Sequence, residues 1–257
     1  MKPAWPRLPN GAVRASFPFS ERAMELYPDR FAYLVRIDPT DPELDRLLGE
    51  VRHKTGGSAM RLVPVPDVGE VNALANGEFE GLFAAAEKYQ VPIFCWTPGR
   101  SHLLEPYLQR HPKLQVIVDH CGVGVAPPVG RQVSVTRARS VTERLIDRVK
   151  ELDDVIQLGE RFPNLSLKWC HAPAYLSEQS YPFRDAVGYL KRVIDAWGAD
   201  RVMWASDVTV SRRDHYSWAE SMHYLRDSDT LTLREQEWVL GGTVRKVLNW
   251  TAPERPA

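Results

Sequence analysis

Short apolar runs that each stop at a polar residue alternate with amphipathic helical stretches along most of this chain. That alternation restricts the fold more than any other feature. Strand-like runs fall at Phe31 to Ile37, Ala59 to Val63, Val91 to Cys95, Leu114 to Asp119, Leu165 to Trp169 and Arg201 to Trp204. Between them, Pro42 to Thr55 places Leu44, Leu47, Leu48 and Val51 on one helical face, and Phe79 to Tyr89 does the same with Phe79, Leu82, Phe83 and Ala86. Further helices are expected at Phe19 to Tyr27, from a capping Ser101 to Arg110, and at Thr142 to Arg161, Phe183 to Trp197, Ser217 to Arg226 and Leu233 to Leu248. Strand followed by helix, repeated, implies an α/β fold with a parallel sheet and right-handed crossovers. Six strands fall short of the eight that close a (β/α)8 barrel.

The chain has 257 residues and is read as one domain, 1–257, with an irregular proline-rich segment at 1–16. Its formal net charge is zero, so no global field attracts nucleic acid or an anionic membrane. A small-molecule substrate is the expected partner. The three cysteines, Cys95, Cys121 and Cys170, form no CxxC pair, which argues against a disulfide framework or a structural zinc site and for a reducing, cytoplasmic setting. No apolar run approaches a membrane span, and the N-terminus lacks the apolar core of a signal peptide.

Parallel α/β sheets do their chemistry at the C-terminal ends of strands. One run ends in Ser206 and Asp207, another in Asp119 and His120. Taken alone, Asp207 reads better as a cap of the next helix or turn; two strands ending in titratable residues point instead to one site at one rim. His171, past the fifth strand, either faces that site or is solvated. Arg100 and the Arg212, Arg213, His215 cluster suit an anionic substrate, or form a surface charge cluster. His102, His111 and His223 lie in or beside helices and read as structural. Trp169 and Trp204, beside strand ends, are candidates to line the pocket. The segment 122–140 is long enough to cover a substrate or to be disordered.

Several stretches, in order, resemble the amidohydrolase-related family of TIM-barrel hydrolases, and most closely its 2-pyrone-4,6-dicarboxylate lactonase-like branch. They are Tyr27 to Phe31 with Ile37 to Pro39, Met60 to Leu62, Val91 to Phe94, Val118-Asp119-His120-Cys121-Gly122, Asn164 to Lys168, Ala199 to Asp207 and Gly241 to Lys246. The resemblance covers about residues 20–250 and implies a TIM-type barrel represented by the family's third to eighth strands. Two open strand edges would follow, to be covered by residues 1–16 or by a second subunit in a homo-oligomer.

Carried over residue by residue, the resemblance makes Asp207 the base that activates water and His120 the group that holds or polarises the scissile carbonyl or serves in proton transfer. Lys168 and Arg61 match family positions and supply positive charge; Arg100 and His171, from their places past strand ends rather than from the resemblance, are added as candidates to contact substrate. The implied reaction is hydrolysis of a lactone or related cyclic carbonyl compound bearing a carboxylate. Decarboxylation, or an inactive barrel that binds a ligand or partner, are the alternatives. The family's His-x-His opening motif is absent, and Trp96 stands where many members carry a fifth-strand histidine. No metal cofactor is therefore expected: Asp207, His120 and His171 amount at most to a weak site for a divalent ion such as zinc.

Overall fold

The computed structural model of the chain describes residues 6–53, 58–64, 68–124, 141–208 and 216–250. Within them, six parallel strands form one sheet in sequence order: β1 (Tyr33–Val35), β2 (Ser58–Leu62), β3 (Ile93–Cys95), β4 (Val116–Val118), β5 (Leu165–Trp169) and β6 (Val202–Trp204). Strands β3 and β4 are buried at every residue, which is why they read as continuous apolar runs rather than alternating ones.

The first helix, α1 (Pro18–Leu26), precedes β1. Between the strands lie α2 (Leu44–His53), α3 (Val68–Ala75), α4 (Glu80–Tyr89), α5 (Glu105–Arg110), α6 (Val141–Arg161), α7 (Ala172–Leu176) and α8 (Arg184–Trp197). After β6 come α9 (Trp218–Arg226) and α10 (Leu233–Glu237), a π-helical turn Trp238–Gly242, and α11 (Thr243–Leu248). Ser217 and Thr232 each start a helix with a full capping box, to Glu220 and Glu235. Ser101 does not cap its helix as expected. It opens a 3₁₀ turn, Ser101–Leu104, with no side-chain cap bond.

Side-chain parity along the strands divides the interior into two layers. The outer layer packs Val35, Met60, Ile93, Cys95, Val116, Val118, Leu167, Trp169 and Val202 against helix residues such as Leu48, Phe83, Tyr107, Val155 and Leu190. Trp169 and Trp204 face this layer. The Trp169 indole N–H donates to the Tyr224 hydroxyl at 2.7 Å, and that of Trp204 to the Ser221 carbonyl at 2.7 Å. They therefore do not line a pocket: on β5 and β6 it is Lys168 and Met203 that turn inward, so their neighbours must turn out.

The inner layer settles how the half-barrel is closed. Ala59, Phe94, Ile117 and Met203 from four strands bury together with Leu248 of α11, and Ala32, Leu34, Val244, Val247 and Trp250 pack around them. The last helix thus lies on the inner face of the sheet, against β6 on one side and β1 on the other. Trp250 Nε1 donates to the Pro28 carbonyl at 2.9 Å, tying the two ends of the sheet. Of the two expected coverings, the described part of residues 1–16 is not the main one. The described part of the N-terminal segment makes antiparallel bridges, Arg7 with Val13 and Arg14 with Ile37, just past the end of β1. Arg14 fixes it there by bonding Asp41 at 2.9 and 3.0 Å.

Candidate active site

The site stands on the inner-layer floor, at the C-terminal ends of β2, β4, β5 and β6. Asp119 follows β4 directly and is fully buried. Arg61 Nε of β2 donates to its Oδ2 at 2.7 Å, and Lys168 Nζ of β5 lies 2.8 Å from Oδ1. Burial alone would raise the Asp119 pKa; the charges of Lys168 and Arg61 outweigh it and hold the carboxyl below the usual carboxylate range. Asp119 therefore works as the counter-ion that aims two cations from opposite sides of the rim.

His120 comes next, buried, with φ of +52°. Its Nε2 faces Arg61 Nη2 at 3.3 Å. Because a guanidinium only donates, this contact places the imidazole lone pair on Nε2. Burial, then the charge of Lys168, pushes the His120 pKa down to about 3, so the ring is neutral at physiological pH. Trp96 meets its ring edge-on, 5.9 Å between centroids.

Past β5, His171 takes φ +58° as the residue that starts α7. Its Nε2 lies 2.8 Å from Asp207 Oδ2, and His120 Nε2 lies 3.9 Å from the same oxygen. The His171 bond is the main cause that keeps Asp207 below the usual carboxylate range, with burial opposing it. Trp204, turned outward, is not the group that sets its basicity. Asp207 also has positive φ, +43°, as does Cys121 at +59°. Four non-glycine residues in the left-handed region around one rim is a concentration of backbone strain of the kind found at functional sites.

The structure thus brings Asp207, His120, His171, Arg61 and Lys168 together at one rim. Arg100 is not in this group: its guanidinium bonds the Pro98 carbonyl at 3.3 Å and its charge acts on Glu151. His111, between Glu80 and Glu87, and His223, beside Asp227, sit in helix contacts away from the rim, as read. Arg212, Arg213, His215 and residues 125–140 of the expected covering segment lie outside the described residues. Two members escaped the sequence reading. Arg36 follows β1, and burial and the like charge of Arg61 both depress its pKa. Cys170, buried beside His171, offers a sulfur that clusters with donor atoms of His120, His171 and Asp207, all within 4.8 Å of one another. Only adjacency to a strand end marked either residue.

Chemically, the rim offers an ionised carboxylate able to take a proton from water, next to a neutral imidazole and two oriented cations able to stabilise an oxyanion. A sequence profile of the amidohydrolase family matches residues 21–250. The chain belongs to the amidohydrolase family. No curated protein sequence matches it. Solved structures similar to this family member include an amidohydrolase from Burkholderia multivorans with bound HEPES, at TM-score 0.69 and 16% identity, covering 93% of this chain and 82% of that one. The same protein with bound zinc gives 0.67 and 18%, over 93% and 81%. A TIM-barrel protein from Bordetella bronchiseptica aligns at 0.61 and 14% over 95% and 76%. An Acinetobacter baumannii protein described as a probable 2-pyrone-4,6-dicarboxylic acid hydrolase, with citric acid bound, aligns at 0.60 and 13% over 95% and 82%. At these identities the likeness is one of fold, and it identifies the six strands as part of a TIM-type barrel. Among the described residues no helix is long and apolar enough to cross a membrane.

Proposed function

We propose that this amidohydrolase hydrolyses a lactone or related cyclic carbonyl compound that carries a carboxylate. The observation that carries the reading is the placement of Asp207, fixed through one oxygen by His171 and facing neutral His120, with Arg61 and Lys168 behind it. Oδ1 of Asp207 takes a proton from the attacking water while the new C–O bond forms. The carbonyl oxygen replaces Arg61 Nη2 at His120 Nε2, which then carries the ring proton and donates. Arg61 and Lys168 balance the developing negative charge. Breaking the ring C–O bond returns the proton from Asp207 to the leaving oxygen. The second cation near Arg61, Arg36, suits the substrate's carboxylate. The description of the Acinetobacter baumannii protein, whose bound citric acid is a polycarboxylate, supports this substrate class.

The test is a panel of carboxylated lactones assayed with the wild-type chain and Asp207→Asn. Ring-opened acid is the expected product, and the variant should lose on the order of 10²-fold or more in kcat/KM. Full activity in Asp207→Asn would remove the proposed base. Carbon dioxide as the product would favour decarboxylation, and tight binding without turnover would favour a binding barrel.

A further inference from the structure

We propose that Arg148 of α6, acting through the Tyr175 ring, is a positioning residue for His171 and hence for the Asp207 carboxylate that His171 holds. The inference rests on the hydrolytic reading of the rim. α7 is five residues long and starts directly after His171. A helix that short leaves its last carbonyls without partners of its own and does not persist unsupported. The support comes from α6. Arg148 Nη1 donates to the Ala174 carbonyl at 3.3 Å and to the Tyr175 carbonyl at 3.2 Å, as basic side chains do at helix C-termini. The same guanidinium lies over the Tyr175 ring, 4.9 Å from Cζ to the centroid, so it fixes the ring as well as the backbone.

Tyr175 in turn is tied to His171 twice. Its backbone N–H donates to the His171 carbonyl at 3.0 Å. Its ring lies 5.3 Å from the imidazole, with the planes 33° apart. The His120 ring stands 5.1 Å from the same imidazole, tilted by 58°. Two aromatic neighbours thus restrict the turning of the buried imidazole and leave its Nε2 edge to Asp207 Oδ2, at 2.8 Å. The backbone of His171 needs outside help as well. A histidine with φ of +58° keeps that conformation only where its surroundings over-determine it, and the Arg148 bonds to α7 are part of that constraint. Without Arg148, the end of α7 and the Tyr175 ring loosen, the imidazole gains freedom, and Asp207 loses the bond that aims its other oxygen at water. Arg61 and Arg36 are untouched, so substrate is still held. The loss falls on the chemical step, where a misplacement of about 1 Å costs up to about 100-fold.

The first readout does not depend on turnover. In the full chain labelled at histidine, the His171 Nε2–H, buried and bonded to Asp207, should give a downfield proton resonance in slow exchange with water, assigned by its loss in His171→Gln. Arg148→Met, which removes the guanidinium and keeps an unbranched stem, should speed that exchange on the order of 10-fold or more, because a local opening then suffices. Tyr175→Leu should do the same. Arg148→Lys, which keeps the charge and can reach one carbonyl, should recover part of the protection. Gly159→Ala, farther along the same helix, should leave the resonance as it is. The second readout is kinetic: with a carboxylated lactone, Arg148→Met should lower kcat by about 10–100-fold at unchanged KM. Wild-type exchange in folded Arg148→Met overturns the inference, as does a raised KM at full kcat, or an equal loss of protection in Gly159→Ala. A wild-type chain without the resonance overturns it too. If no lactone is opened, the hydrolytic reading fails, and the exchange comparison still decides whether Arg148 sets His171.

Discussion

Arg61 reaches from β2 across the intervening β3 to Asp119 at the end of β4, closing Nε to Oδ2 at 2.7 Å. The carboxylate it meets has no exposed surface, and Lys168 approaches the other oxygen from β5. One buried anion thus sets the position of the two cations that the proposed chemistry needs.

Asp119→Asn keeps the shape and removes the charge, leaving two cations around a buried amide. Breaking a buried ion pair from one side costs about 3–5 kcal/mol. The urea midpoint should fall accordingly, and adding Lys168→Met to the same chain should recover part of the loss. An unchanged midpoint in the single variant would show that the anion is not needed to hold Arg61 and Lys168.

Leu248 is the α11 side chain buried with Ala59, Phe94, Ile117 and Met203 on the inner face. Leu248→Ala should cost about 2–5 kcal/mol, as large-to-small changes in a packed core do. Denaturant unfolding measures it. A loss below about 1 kcal/mol would mean that the helix does not seal the inner layer.

Gly159 in α6 is buried because the Trp197 indole of α8 lies where its side chain would be. The ring is held there by Trp197 Nε1 donating to the Ile156 carbonyl at 3.0 Å. In an open helix, Gly→Ala would gain about 1 kcal/mol. Here the methyl group must displace the indole, and Gly159→Ala should instead destabilise by about 1–3 kcal/mol. A stabilised variant in thermal unfolding would contradict the packing.

Acid should release the N-terminal segment. The Asp41 carboxyl is held below its ordinary value of 3.8, first by the Arg14 hydrogen bonds, with burial opposing. As pH falls, the unfolded chain takes up this proton before the folded one. The stability from the clasp is therefore fully present above about pH 4 and is lost as pH drops through the folded value. Tm followed against pH should show wild type above Asp41→Asn near neutrality, with the two curves meeting at the acid end. Parallel curves would exclude the clasp.

The strands and their chemical ends were legible because burial on both faces demands an unbroken apolar run, and the run stops where Asp119 or Asp207 meets the rim. α3 was not, since Pro64, Pro66 and Gly69 punctuate its start as a turn would. α7 is five residues with a proline in its first turn, too short to show a period. The sequence reads Leu233 to Leu248 as one helix, and the chain does stay helical through Gly241 and Gly242, but as a π turn that periodicity does not announce; Thr243, buried just past it, bonds the Ala199 carbonyl at 3.0 Å. Val244, Val247 and Leu248 have the spacing of any amphipathic helix. Periodicity tells that a face is covered, and only the assembled sheet tells which one. Trp169 and Trp204 failed as pocket residues for the same reason: inward or outward depends on register, and register is a relation between strands.

The way α11 and Trp250 join the first strand to the last gives this barrel wall a seam. Everywhere else along the wall, neighbouring strands share a ladder of backbone hydrogen bonds. Across the seam, contact is made by side chains and one indole bond to Pro28. Side-chain contacts can part without breaking a ladder, so the wall opens there first. Amide hydrogens of β1 and β6 should then exchange with solvent sooner than those of β3 and β4, which lie opposite the seam.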